Sequence, residues 1–272
     1  MADRLTQELA LAGLLEALTP AVRQAGSLIE RLKVEGLTRR LKADKSPVTE
    51  ADEAAERLLE DAIRALEPDA VIIGEEASSA GFAPDAAPRY WLLDPLDGTR
   101  DFVRGGEDYS VNVGLVEDGL PVLGLVLHPP SGTLWTGAPG LGAWKESADH
   151  ERRAIRSRRL ATPPIIVTSR SHLDQRTKDW VAAVADAEVH PSGSSLKFCV
   201  VAEGLADAYP RYGPTSEWDT AAADAILRAA GGAMFAAGGA PFTYGRSATR
   251  ENPSFLAIGD PAAADRLPPF PA

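Results

Sequence analysis

The chain has 272 residues, a formal net charge of −11, 44% hydrophobic and 25% charged residues, and a single cysteine. That length suits one large domain or two closely packed lobes, and the acidic balance argues against binding a nucleic-acid polymer through a basic surface. No apolar run approaches the roughly 18 residues of a membrane span, one cysteine excludes an internal disulfide, and Met1-Ala2-Asp3-Arg4 lacks the basic region and apolar core of a signal peptide.

In chain order, Leu18, Val22, Ala25, Ile29 and Leu32 recur at helical spacing, and Thr19-Pro20 predicts where that helix starts. Residues 42–47 read as a polar loop. A second helix is expected from Thr49, burying Ala55, Leu58, Ala62 and Leu66, with Pro68 just past its end. Strand signals follow: Val71-Ile72-Ile73 runs into Gly74-Glu75-Glu76, and Tyr90-Trp91-Leu92-Leu93 runs into Asp94. Pro95 has no backbone N–H and is expected to stop the strand's ladder at Asp94. Two apolar runs, 110–116 and 121–127, flank Asp118-Gly119, a hairpin signal. Leu134-Trp135-Thr136 and Gly142-Ala143-Trp144 continue an antiparallel meander. Arg152-Arg153 through Arg158-Arg159 reads as a solvated connection between lobes.

Beyond residue 160 the pattern alternates. Strands are expected over 164–168, 189–190 and 206–211, with helices over 174–187, 194–203 and 216–230, the last stopped by Gly231-Gly232. Met234-Phe235 and 255–258 close a second sheet. The expected division is a lobe of helices on an antiparallel sheet over 1–159 and an α/β lobe over 160–272. Cys199, inside an apolar run, reads as a small buried core residue that fits a reducing cytoplasm.

The acids carry the chemistry. Ser216 with Asp219 and Thr49 with Asp52 each fit a capping box, which accounts for both acids without catalysis. Glu75-Glu76 alone is an acidic loop. Asp94-Pro95-Leu96-Asp97-Gly98-Thr99 is harder to dismiss: two carboxylates and a hydroxyl crowd one strand end. Such crowding is unfavourable unless a cation sits among them or one acid stays protonated.

The order Asp52, Glu75-Glu76, Asp94 to Thr99, then Trp218-Asp219 resembles the lithium-sensitive, magnesium-dependent phosphomonoesterases of the inositol monophosphatase superfamily. The resemblance spans about residues 40–260. It implies a layered αβαβα sandwich of the sugar-phosphatase type, with two sheets and the active site between lobes. It also implies that Glu75, Asp94, Asp97 and Asp219, with the Leu96 carbonyl, hold Mg²⁺. Hard oxygen donors in this number suit that ion. Five carboxylates, Asp52 included, carry about −5 and a phosphate nearly −2, so about two or three Mg²⁺ bring the complex near neutrality. Asp52, Glu75 and Thr99 are the expected catalytic residues: a water hydrogen-bonded to Thr99 is deprotonated with help from Asp52 or Glu75.

Within the superfamily, Ser192 to Cys199, Tyr209-Pro210-Arg211, Gly213-Pro214-Thr215, Gly98 to Phe102 and Ser169 to His172 resemble the bacterial 3′(2′),5′-bisphosphate nucleotidases. This implies hydrolysis of adenosine 3′,5′-bisphosphate to AMP and phosphate in sulfate assimilation, extending to 3′-phosphoadenylyl sulfate. Lys197, Ser194, Ser195, Arg211 and His172 are expected to bind the nucleotide, with Arg170 a further contact, alongside Glu75, Leu96, Asp97, Gly98, Thr99 and Asp219. A second phosphate away from the metals gives Lys197 and its serines a partner. Inositol monophosphate or a sugar phosphate is the alternative substrate, and a nucleotide-sensing protein without turnover the alternative outside enzymes. The expected partner is a small phosphorylated nucleotide. The expected state is a monomer or homodimer in the cytoplasm, with loose attachment to the inner membrane face left open.

Overall fold

The computed structural model describes residues 2–35, 39–41, 47–82, 84, 87–171 and 173–271. Residues 42–46 of the loop expected over 42–47 and His172 lie outside them, and Pro47, the loop's last residue, is in a strand instead. Helix α1 runs Ala2–Glu35, and Leu11, Leu15, Leu18, Val22, Ala25 and Ile29 make one continuous buried stripe along it. The expected start at Thr19-Pro20 is therefore corrected. Pro20 lies inside α1 on its exposed side, and Glu16, whose carbonyl loses its donor, is an exposed residue as well.

Strands β1 (Arg39–Leu41) and β2 (Pro47–Thr49) pair antiparallel, and α2 (Glu50–Leu66) follows. Its buried face is Ala51, Asp52, Ala55, Glu56, Leu59 and Ile63. The expected face is off by about one residue: Leu58 and Ala62 only flank the core and Leu66 is exposed. Two acids, Asp52 and Glu56, share the inward face, which a reading of apolar residues alone passes over.

The first sheet has the order β3-β4-β5-β6-β7-β8-β9. Its strands are β3 (Ile72–Gly74), β4 (Arg89–Asp97), β5 (Ser110–Glu117), β6 (Leu120–His128), β7 (Thr133–Ala138), β8 (Gly142–Glu146) and β9 (Arg152–Ile155). Only β3 and β4 run parallel; the rest is the expected antiparallel meander. Short helices α3 (Glu75–Ser79) and α4 (Thr99–Val103) follow β3 and β4. Pro95 does not end β4. The ladder with β5 skips Pro95 and Leu96 after Asp94 and resumes where Asp97 faces Ser110. The missing N–H makes a bulge instead of a terminus. The basic cluster is likewise no free connection: Arg152 and Arg153 lie in β9, and Arg158 holds the buried Asp207 at 2.8 Å.

The second sheet has the order β11-β10-β12-β14-β13. It contains β10 (Ile165–Ser169), β11 (Glu188–Ser192), β12 (Ala208–Arg211), β13 (Ala233–Ala236) and β14 (Phe255–Ile258). Helices α5 (Gln175–Ala182), α6 (Leu196–Ala202) and α7 (Ala221–Ala229) accompany it. Helix α5 stops at Ala182, before its expected end, and a turn in which Asp186 takes a left-handed conformation, φ 55°, leads into β11. The single helix expected over 216–230 is split: a 3-10 turn, Glu217–Asp219, precedes α7.

The layers run helix, sheet, helix, sheet, helix. Helices α1 and α2 pack on one face of the first sheet through Trp91, Leu93, Val113 and Leu125. Its other face meets α6 and α7, which also back the second sheet. Helix α5 and the C-terminal Leu267 and Phe270 cover the far side. A row of glycines seats α7. Gly114, Gly124 and Gly137 are register partners on β5, β6 and β7. A Cβ on Gly124 would stand 1.9 Å from the Ala222 carbonyl oxygen, and one on Gly114 2.8 Å from the Ala222 nitrogen. With no side chains in the way, α7 lies directly on the sheet, and its start is delivered beside the end of β4.

Candidate active site

Four chain segments converge at the ends of β3 and β4. Glu75 opens α3, whose first amides are taken by a carboxylate from another helix: Glu56 accepts Glu76 N and Ala77 N, each at 2.8 Å. Gly74 leaves room for it, since a Cβ there would sit 2.4 Å from the Glu56 carboxyl carbon. Burial pushes the Glu56 carboxyl up to about 7.

Asp94 is 1% exposed on β4, and one of its oxygens accepts the Leu96 amide at 3.0 Å, which closes the turn after the bulge. Gly98 then takes φ +101°, and a Cβ would stand 2.5 Å from the Asp108 carbonyl oxygen, so this position demands glycine on two counts. The Thr99 hydroxyl lies 3.2 Å from Asp52 Oδ1 and 3.0 Å from the Leu96 carbonyl. The other Asp52 oxygen accepts the Thr49 amide at 2.8 Å and the Thr49 hydroxyl at 2.6 Å. Asp52 thus caps α2 and faces the site at once. Asp219 has the same double use, accepting the Ser216 amide at 2.8 Å as the capping acid of its turn.

Among the described residues, Glu75, Asp94 and Asp219 each offer a carboxylate oxygen, all within 4.8 Å of one another. Asp97 stands beside this group and accepts the Ser195 amide from the start of α6. Burial pushes the Asp97 carboxyl up to about 6, with Lys197 opposing and Glu75 adding to the shift. Asp219 is pushed up to about 8 by burial and then by Asp97 and Glu75. Burial and mutual repulsion raise both acids, and a cation placed among them would oppose that shift. A compact set of hard, anionic oxygens fits a small divalent cation and offers nothing to a soft one.

Opposite the acids, Lys197 is 5% exposed. Its ammonium donates to the Ser194 carbonyl and lies 5.1 Å from the Tyr209 ring centroid. Burial brings it down to about 8, opposed by Asp97. Ser194 adopts a left-handed φ of 46° to make this turn. The Ser195 hydroxyl is committed elsewhere, 2.7 Å from Asn112 Oδ1 and 2.8 Å from the Ser110 hydroxyl on β5. It ties α6 to the first sheet. Arg211 reaches the carbonyls of Gly213 at 3.1 Å and Pro214 at 3.0 Å.

One cavity of about 760 Å³ is lined by Glu75, Asp94, Leu96, Asp97, Gly98, Thr99, Ser194, Ser195, Lys197, Arg211 and Asp219. Of the residues singled out by sequence, Asp52 lies behind it through Thr99, and Arg170, which is not in the lining, pairs at 2.6 Å with Asp108 of the cavity wall. Sequence reasoning missed Glu56 and Asp108. Glu56 had a signal: it stands one helical turn after Asp52 on the same face. Asp108 had none. Burial pushes the Cys199 thiol well above its usual range, and it takes no part.

The sequence and the fold recur in known proteins. The family model described as the inositol monophosphatase family matches residues 10–257. The 3′(2′),5′-bisphosphate nucleotidase CysQ of Escherichia coli K12 is 42% identical over 214 residues, covering 79% of this chain and 86% of that one. The Salmonella typhimurium CysQ is 42% identical over 220 residues, 80% of this chain and 88% of its own. The crystal structure of CysQ from Bacteroides thetaiotaomicron is 32% identical with a TM-score of 0.74, covering 92% of this chain and 97% of that one. The Thermotoga maritima IMPase aligns with a TM-score of 0.77 at 25% identity, over 93% and 94% of the two chains. With the family model matched over nearly the whole chain and its layered fold shared, the chain belongs to the inositol monophosphatase family.

Proposed function

We propose that the chain is a Mg²⁺-dependent phosphomonoesterase that hydrolyses adenosine 3′,5′-bisphosphate to AMP and phosphate, and 3′-phosphoadenylyl sulfate in the same way, in sulfate assimilation. The observation that carries this reading is a buried cation facing a crowd of acids across one cavity: Lys197 against Glu75, Asp94, Asp97 and Asp219. A substrate with a single phosphate needs only the acids and their metal. One with a second, uncleaved phosphate gives Lys197 a partner. The likeness to the bacterial nucleotidases points the same way.

Glu75, Asp94, Asp97 and Asp219, with the Leu96 carbonyl, would hold Mg²⁺, about two or three ions by charge balance. When bound, the metal supplies Lewis acidity at the phosphoryl oxygens and makes water a stronger nucleophile at neutral pH. The chain's own part is orientation and proton transfer. The single Thr99 hydroxyl hydrogen has two acceptors, Asp52 at 3.2 Å and the Leu96 carbonyl at 3.0 Å. With the Leu96 carbonyl taken up by the metal it goes to Asp52, and the Thr99 oxygen accepts from a water on the cavity side. The proton released as that water attacks passes toward Asp52 or Glu75. Lys197 and the Ser194 turn fix the second phosphate, and with it the ring that carries the scissile ester. Such an enzyme works in the cytoplasm, a setting that the buried, reduced Cys199 fits.

The test compares kcat/KM for adenosine 3′,5′-bisphosphate and inositol 1-phosphate on one preparation in saturating Mg²⁺. The nucleotide is expected to win by about two orders of magnitude. Preference for inositol 1-phosphate or a sugar phosphate would overturn the nucleotide assignment, and tight nucleotide binding without phosphate release would overturn the assignment as an enzyme.

A further inference from the structure

Two residues before Asp219, the Glu217 carboxylate is buried at 2% exposure. One of its oxygens accepts the Gly245 amide at 2.6 Å. The other lies 3.3 Å from the Tyr90 hydroxyl and 3.7 Å from Arg250 Nη1. Arg250 is itself 5% exposed and holds a left-handed φ of 60°. Its guanidinium carbon lies 5.5 Å from the Tyr90 ring centroid, and its carbonyl accepts the Glu217 amide at 2.8 Å. The next two residues continue the clasp. Glu251 bridges to Ser216, and the Asn252 amide group donates to the Ser216 carbonyl at 2.6 Å while lying 3.1 Å from the Thr220 hydroxyl.

The cluster therefore grips both sides of the acid group. Tyr90 is on β4, four residues before Asp94, and Glu217 is in the turn that ends at Asp219. Arg250 also reaches the Pro84 carbonyl at 3.5 Å, in the connection that leads from α3, and so from Glu75, into β4. A buried ion pair loses its hydration and gives little net stability in return. Its value lies in holding a distance. Loss of a group that orients metal ligands from behind typically costs about 10- to 100-fold in metal affinity.

We propose that Tyr90, Glu217 and Arg250 are positioning residues, a latch that fixes Asp219 against Asp94 and thereby sets the site's affinity for a hard cation. The inference rests on the reading of Glu75, Asp94 and Asp219 as metal ligands.

Terbium(III), a hard cation whose emission is sensitised by nearby tryptophan, reports on the site through Trp218, the residue before Asp219. The full-length protein is titrated with Tb³⁺, and bound Tb³⁺ is then displaced with Mg²⁺. Wild type is compared with Tyr90→Phe, Arg250→Lys and, as the control for the underlying reading, Asp219→Asn. Tyr90→Phe removes one hydroxyl and keeps the ring, so the test does not depend on Arg250→Lys folding. Both latch variants are expected to lose about tenfold in affinity for Tb³⁺ and Mg²⁺, with KM for the phosphate ester in saturating Mg²⁺ unchanged. If Asp219→Asn weakens Tb³⁺ binding but the latch variants bind within about twofold of wild type, the latch is structural only and the inference fails. If Asp219→Asn leaves Tb³⁺ binding intact, the metal reading fails and the latch falls with it.

Discussion

Thr99 Oγ1 stands 3.2 Å from Asp52 Oδ1, and the second oxygen of Asp52 is bound by the amide and hydroxyl of Thr49 at the start of α2. One carboxylate therefore begins a helix and orients a hydroxyl at the cavity wall. We expect Asp52→Asn to lower kcat by roughly 100-fold or more with KM little changed, and to cost about 1 kcal/mol of stability through the weakened cap. Thr99→Ala should lower kcat to a similar extent, and the double variant should be little worse than either single one, because the two act as a unit. Steady-state kinetics with thermal melts on the same samples check this.

Removing metal should make stability fall as pH rises. In the folded, metal-free protein Asp97 holds its proton up to about 6 and Asp219 up to about 8, whereas their ordinary value is 3.8. The folded state therefore binds more protons than the unfolded chain from about pH 4 to about 8, and the stability associated with these two acids is lost as pH climbs through that window. Melting curves in EDTA at pH 5 and pH 8 are expected to show a lower Tm at the higher pH. Added Mg²⁺ should raise Tm more at pH 8 than at pH 5, and Asp219→Asn should flatten the EDTA series.

Lys197 is the residue on which substrate choice turns. Lys197→Met is expected to raise KM for adenosine 3′,5′-bisphosphate roughly 10- to 100-fold, the worth of a charge-assisted hydrogen bond. Hydrolysis of a monophosphate such as inositol 1-phosphate should change much less. Equal losses on both substrates would assign Lys197 to supporting Asp97 instead.

The glycine row under α7 gives a prediction about folding. Gly124→Ala would place a methyl 1.9 Å from the Ala222 carbonyl oxygen, which is backbone and has little room to yield. A loss of about 1–3 kcal/mol is expected from overpacking, measured by chemical denaturation. Helix α7 would lift from the sheet, so affinity for Mg²⁺ should fall as well. Gly13→Ala, at an open site on α1, should have neither effect.

Much of this architecture was legible in the chain because its signals are local. Asp94, Asp97 and Thr99 stand together in sequence as they do in space, and the Asp118-Gly119 turn reads directly as the β5–β6 hairpin. What was illegible depended on distant partners. The heptad-like stripe from Leu11 to Ile29 was present, yet Pro20 drew the helix start to itself, since only the fold reveals that Pro20 faces water. Pro95 likewise broke the ladder only locally, because strand β5 pairs on both sides of the bulge. The inward turn of Glu56 needed α3 to supply its two amides. The Ser195 hydroxyl, expected at a phosphate, found Asn112 and Ser110 from the other sheet.

The central claim is that the acids around Glu75, Asp94 and Asp219 hold Mg²⁺ for removal of a 3′-phosphate. Phosphorus NMR of adenosine 3′,5′-bisphosphate incubated with the protein tests it most directly. In Mg²⁺ the 3′-phosphate resonance should disappear while the 5′-phosphate persists and inorganic phosphate grows in, with both changes abolished by EDTA or by Asp94→Asn. Turnover that survives EDTA, or loss of the 5′-phosphate first, would contradict the account.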